Sequence, residues 1–320
     1  MKTRSNPRSM PVKDSNISVH RRRWLAGLAG SVLVAAGKPS WSQTAPAASP
    51  RPGSAKRSPR LVTVSGGITE VVYALGAQDQ LVGTDTTSLY PVAAQSTPKV
   101  GYMRQLSAEG LLVLRPDALV STTDAGPPVV LDQIRSAGVK VELVDIDHSW
   151  DEVRRKVAAV GRATGREAQA RALLQRLDDR WATVNRQVQR GTQAPLPRVL
   201  FVLSHTGAPL VSGEGTAADA MIRFAGGRNA LGGFTGYRPM TAESMAAAAP
   251  DVILITTQGL EAVGGAGKFW QRPELALTPA WRRRQAGRSL VHFDALELLG
   301  FGPRMPDVVE RLHRQLSVAA

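Results

Sequence analysis

A repeated block constrains what this chain can fold into. Ser107-Ala108-Glu109 recurs as Thr241-Ala242-Glu243, Pro116-Asp117 as Pro250-Asp251 and Thr122-Thr123 as Thr256-Thr257, each time 134 positions apart. Arg104 falls on Arg238 at the same spacing. Both copies follow one grammar. A hydroxyl residue caps a short helix, an acid sits in its first turn, Pro-Asp breaks it, and an apolar strand follows. Internal self-similarity marks repeated units, so two related lobes are expected.

Each lobe reads as α/β. Leu61-Val62-Thr63-Val64, Leu81-Val82-Gly83, Ala118-Leu119-Val120 and residues 139–144 are short apolar strands, with a helix after the first from about Thr69 to Leu75. Arg198-Val199-Leu200-Phe201-Val202-Leu203 opens the second lobe. Strands alternating with helices imply mainly parallel sheets. Residues 149–189 contain few breakers, and Leu173, Leu174, Leu177, Trp181, Val184 and Val188 recur at helical spacing. A helix of about 25 residues would be about 37 Å long, enough to bridge two lobes. Pro195 and Pro197 stop it.

The expected fold class is therefore α/β: two pseudo-symmetric lobes with central, mainly parallel sheets joined by one long α-helix. The first lobe is placed at 61–148, the connecting region at 149–194 and the second lobe at 195–320. Ligands of open α/β sheets bind beyond the carboxyl ends of the strands, which puts the site in the cleft between lobes. Gly264-Gly265-Ala266-Gly267 reads as a flexible cleft loop, with Phe269 and Trp270 as apolar contacts.

The net charge of +14 suggests nucleic acid at first sight. Its distribution argues otherwise. Residues 1–60 hold 12 of the 40 Lys/Arg and one of the 26 acidic residues, so the remainder is nearly balanced. His20-Arg21-Arg22-Arg23-Trp24-Leu25 fits the twin-arginine export pattern. The apolar stretch behind it is about 14 residues, short of the roughly 20 a membrane span needs. Residues 1–42 are read as a cleaved signal peptide, with Ser40-Trp41-Ser42 as a cleavage site and Ala45-Pro46-Ala47 as the other candidate; an uncleaved anchor and the general secretory route are the alternatives. Residues 43–60, rich in Pro, Ala, Ser and Arg, read as a disordered tether. The chain has no cysteine, which excludes disulfides, thiolate metal sites, a cysteine nucleophile and a lipid-modified N-terminal cysteine. A soluble protein of the periplasm is expected.

Three stretches carry a family resemblance. They are Gly66-Gly67-Ile68-Thr69-Glu70 with Tyr73-Ala74-Leu75-Gly76, Gly101-Tyr102-Met103-Arg104 with Leu106-Ser107-Ala108-Glu109, and Gly215-Thr216-Ala217-Ala218-Asp219 with Gly226-Gly227-Arg228-Asn229-Ala230. Over roughly residues 60–318 the chain resembles the helical-backbone class of ABC-importer substrate-binding proteins, which take cobalamin, siderophores and haem. It most resembles the haem-binding members. The first and third stretches are shared across the class, and the Gly-Tyr-Met-Arg segment is the more specific haem signal.

The resemblance implies roles residue by residue. Tyr102 is the axial ligand to ferric haem iron; a hard phenolate oxygen suits Fe(III), and a neighbouring positive charge favours a charged phenolate. Arg104 supports that phenolate or pairs with a haem propionate. His205 is a candidate second iron ligand, or holds a second haem stacked on the first. Arg238 and Tyr237 are candidate haem contacts from the second lobe. Glu109 and Glu243 each gain roughly 0.3–1 kcal/mol from the dipole of the helix they begin, and the resemblance adds docking to arginines of a two-fold symmetric permease. Glu70 and Asp219 are weaker docking candidates.

The function so implied is capture of ferric haem, supplied through an outer-membrane receptor, and its delivery by a monomeric carrier to an inner-membrane ABC importer. A cobalamin or ferric-siderophore carrier is the alternative within the class, and an exported α/β enzyme the alternative outside it. For the latter the signals are poor. His20, His148, His205, His292 and His313 are scattered without zinc-ligand spacing. The glycine-rich stretches lack the lysine of a phosphate loop.

Overall fold

The computed structural model describes residues 57–192, 195–204 and 208–319. The expected signal peptide, most of the expected tether and His205 lie outside the described residues. Arg57 and Arg60, at the end of the tether stretch, both bind Asp117. The Arg57 guanidinium donates at 2.8 Å and the Arg60 backbone N–H at 2.7 Å.

Strands β1 (Leu61–Thr63), β2 (Leu81–Thr84), β3 (Ala118–Thr122) and β4 (Lys140–Val144) form a parallel sheet in the order β2-β1-β3-β4. A second sheet contains β5 (Arg198–Leu203), β6 (Leu210–Ser212), β7 (Arg228–Asn229), β8 (Tyr237–Pro239), β9 (Val252–Thr256) and β10 (Leu290–Phe293). Its order is β10-β9-β5-β6-β8, with β7 also beside β5. The pairs among β10, β9, β5 and β7 are parallel, whereas β6 and β8 extend the sheet antiparallel.

Both faces of the central strands are covered, as parallel sheets require. Along β1 and β3, Leu61, Ala118 and Val120 enter one apolar cluster while Val62 and Leu119 enter another. In the second sheet Val199, Phe201, Val252 and Leu254 face one cluster, and Leu200, Val202, Ile253 and Ile255 the opposite one. This is the period-2 alternation of a strand written into the sequence.

The repeat is structural. Strands β3 and β9 carry the same 134-residue offset as the sequence block. Asp117 receives the Arg60 N–H at the start of the first sheet, and Asp251 receives the Arg198 N–H at 3.0 Å at the start of the second. Ser107 and Thr241 cap the helices Ala108–Leu112 and Ala242–Ala248 through their hydroxyls.

The 25-residue helix Glu167–Gly191 matches the expected bridge. Its Ala170 and Leu173 lie in a first-sheet cluster, its Val184 and Val188 in a second-sheet cluster, and Leu177 packs against both. Ahead of it the same stretch forms a separate helix, Trp150–Thr164, which ends at Gly165 in the left-handed region (φ 68°). This helix also touches both sides: Trp150 and Val153 join the second cluster, Val157 and Val160 the first. Trp150 stacks on Trp181 of the longer helix at 5.1 Å.

A loop from the second half closes the seam. The Lys156 side chain, 3% exposed, donates to the carbonyls of Gly300 (2.9 Å) and Phe301 (3.2 Å) and to Glu152 (2.6 Å). Arg304 grips Glu70 through two hydrogen bonds, at 3.0 and 2.5 Å, and stacks on Tyr90 at 3.7 Å. A Cβ on Gly67 would collide with the Gly300 carbonyl, which explains the glycine there. Glu70 is thus internal, not a docking acid. Asp219 is equally buried (5% exposed), bonded to Asn229 and paired with Arg223.

Two predictions follow from the seam. Burial pulls the Lys156 ammonium's pKa down, with Glu152 opposing, so the pair holds only while intact. Lys156→Ala strands Glu152 in the interior and is expected to cost about 3–5 kcal/mol in urea denaturation. His148 packs on Phe301 at 5.3 Å, and its pKa falls below its ordinary 6.5. Burial is the main cause, Lys156 adds to it, and Glu152, Asp124 and Asp147 oppose it. The folded state therefore binds this proton less readily than the unfolded chain. Stability should rise with pH up to about 6.5 and flatten above it, and His148→Gln should reduce that slope.

Candidate functional site

Tyr102 sits on a turn pinned from two directions. The Gln105 N–H closes the turn onto the Tyr102 carbonyl at 2.8 Å, and Thr86 N–H bonds Gly101 at 3.0 Å. Leu106 N–H donates to Gly126, and Gly126 N–H to Met103, at 2.9 and 3.0 Å. Gly101 takes φ 99°, which a side chain would resist. The turn therefore rides on the carboxyl ends of β2 and β3, where ligands of such sheets bind.

The Tyr102 side chain remains 40% exposed. Arg104 donates one guanidinium nitrogen to its hydroxyl at 3.3 Å and the other to Asp124 at 2.6 Å. Burial works against the Arg104 charge, but the Asp124 carboxylate and Tyr102 outweigh it and raise its pKa, so it stays a cation. Asp124 was not singled out in the sequence. The available signal was an acid just past an apolar strand, at a site-forming edge.

In the second lobe Tyr237 and Arg238 lie on β8. Burial pushes the Tyr237 phenol up, while a hydrogen bond with Thr216 and the charge of Arg104 pull it back. Arg238 lies 4.3 Å over the Phe234 ring. Adjacent residues of a strand point to opposite faces, so Tyr237 and Arg238 do not present themselves side by side as Tyr102 and Arg104 do. Ser204, at the end of β5, is buried, and His205 beyond it lies outside the described residues.

Glu109 and Glu243 are both exposed in the first turns of their helices, and among the described residues neither forms an ion pair. The stretch read as a flexible cleft loop is different. Gly264 (φ 86°) caps the helix Gly265–Trp270, and Phe269 is fully buried in the second-lobe core, so it is no cleft contact. Among the described residues no three His, Cys, Asp or Glu side chains converge on a metal site.

This architecture has known counterparts. The chain belongs to the periplasmic binding protein family, whose model matches residues 61–286. Among solved structures, the periplasmic heme-binding protein BhuT in complex with two hemes is 48% identical, with a TM-score of 0.77, over 82% of this chain and 98% of its own. The periplasmic heme-binding protein RhuT from Roseiflexus sp. RS-1 is 37% identical, also with a TM-score of 0.77, over 82% and 99%. A cobalamin-binding protein of Halobacterium salinarum is 30% identical over 65% of this chain. The chain spans 66% and 57% of the lengths of the first curated relatives it matches.

Proposed function

We propose that this protein is a periplasmic haem carrier that takes ferric haem, supplied through an outer-membrane receptor, and delivers it to an inner-membrane ABC importer. The observation that carries this reading is the exposed Tyr102 phenol held by Arg104 at 3.3 Å, in a chain 48% identical to a structure holding two hemes. Tyr102 is the iron ligand. A phenolate oxygen favours Fe(III) over Fe(II), which suits an oxidising compartment. Arg238 and Tyr237 contact the porphyrin from the second lobe, and His205 supplies a second ligand or holds a second haem. The protein binds and releases, and no covalent chemistry is assigned to it.

Residues 1–42 serve as a cleaved export signal and 43–60 as a tether, ahead of lobes at 61–148 and 195–320. The mature protein is a soluble monomer. No helix among the described residues is long and apolar enough to cross a membrane. Glu109 and Glu243, exposed and repeated across the lobes, dock on permease arginines. The cobalamin-binding relative supports one rival, a corrin carrier. A corrin needs no phenolate.

Hemin added to the purified protein should give a high-spin ferric tyrosinate spectrum, whereas cyanocobalamin should not bind. Tyr102→Ala should remove the spectrum and weaken hemin binding at least about tenfold, or 1.4 kcal/mol. Unchanged binding by that variant, or capture of cobalamin instead, rejects the haem assignment. The double substitution Glu109→Ala with Glu243→Ala should abolish haem uptake while leaving hemin affinity within about 0.5 kcal/mol of wild type.

A further inference from the structure

We infer that Asp124 is a positioning residue that commits Arg104 to the Tyr102 phenol and withholds it from a haem propionate. The inference rests on the haem-carrier reading for its consequence, but its geometry stands without it. Arg104 has two forked nitrogens to offer. The short contact, 2.6 Å, goes to Asp124, and the longer one, 3.3 Å, goes to the phenol. A guanidinium is a rigid planar fork, so fixing one nitrogen fixes where the other points.

Asp124 is itself held. Thr122, the last residue of β3, donates its hydroxyl to the other carboxylate oxygen at 2.6 Å. The mutual Gly126–Met103 and Leu106–Gly126 hydrogen bonds clamp the Asp124 turn to the Tyr102 turn. Strand end, carboxylate, guanidinium and phenol thus form one chain of hydrogen bonds.

The chain also sets the charge. A free Arg104, with its side chain 58% exposed, would be a ready partner for a propionate. Neutralised by Asp124, it is a weak attractor for a second carboxylate. Its remaining donor instead polarises the phenol oxygen that would meet iron. Propionate pairing then falls to other cations, and Arg238, whose partner is a ring face and not a carboxylate, is so placed.

Three measurements test this. First, Asp124→Ala should shift the tyrosinate-to-iron charge-transfer band in the same direction as Arg104→Ala, and combining the two should add nothing beyond Arg104→Ala alone. Asp124→Asn, which keeps an acceptor, should restore part of the shift. An unshifted band, or additive shifts, overturns the inference. Second, Arg104→Ala should weaken hemin and hemin dimethyl ester by the same factor, within roughly twofold. A loss confined to free hemin makes Arg104 a propionate ligand and also overturns it. Third, nitrogen NMR of the ligand-free protein should show hindered rotation of the Arg104 guanidinium in wild type and free rotation in Asp124→Ala. Free rotation in wild type refutes the positioning role. If wild type gives no tyrosinate spectrum at all, the haem reading fails, and the NMR comparison alone decides the role of Asp124.

Discussion

The structure depends on one buried ammonium. Lys156 projects from a helix that touches both apolar halves and reaches the backbone of a loop that returns from the far end of the chain. Two carbonyls and one carboxylate surround it, and the carboxylate opposes the desolvation that lowers its pKa. Beside it, buried Glu70 and the half-buried Arg304 of the same loop repeat the logic. With two helices crossing the seam and a charged clasp beside them, the lobes have few independent degrees of freedom.

Much of this was legible in the sequence because its signals were local. The caps Ser107 and Thr241, the Pro-Asp pairs and the alternation of Leu61-Val62 or Leu200-Phe201 each require only neighbouring residues, and the repeat doubled their weight. The signal failed where partners are distant. Asp219 stands in the first turn of its helix just as Glu109 does, and a first-turn acid reads the same whether exposed or buried; the helix of Glu70 begins at Gly66, which puts that acid a full turn in. The partner that buries Glu70 lies 234 residues away. Composition misled at Gly264–Gly267. Glycines suggested a loose loop, yet one glycine supplies a left-handed cap and the next turns bury Phe269.

The site shows the same division. Tyr102 and Arg104 were visible as neighbours in one segment. Asp124 was not, because its contact depends on how two turns are stitched together by Met103, Leu106 and Gly126. Chemistry-bearing residues can be guessed by type, but the group that aims them is found only from the folded backbone.

The second lobe extends its sheet with the antiparallel strands β6 and β8, and this breaks the symmetry that the repeat establishes. The two walls of the cleft are chemically unlike. A flat cargo whose two faces are equivalent in solution becomes handed once inside. On the haem-carrier reading, the phenol and its guanidinium would belong to the first wall, and a strand tyrosine and a ring-stacked arginine to the second. A cargo face turned to one wall would meet a different set of groups from the face turned to the other.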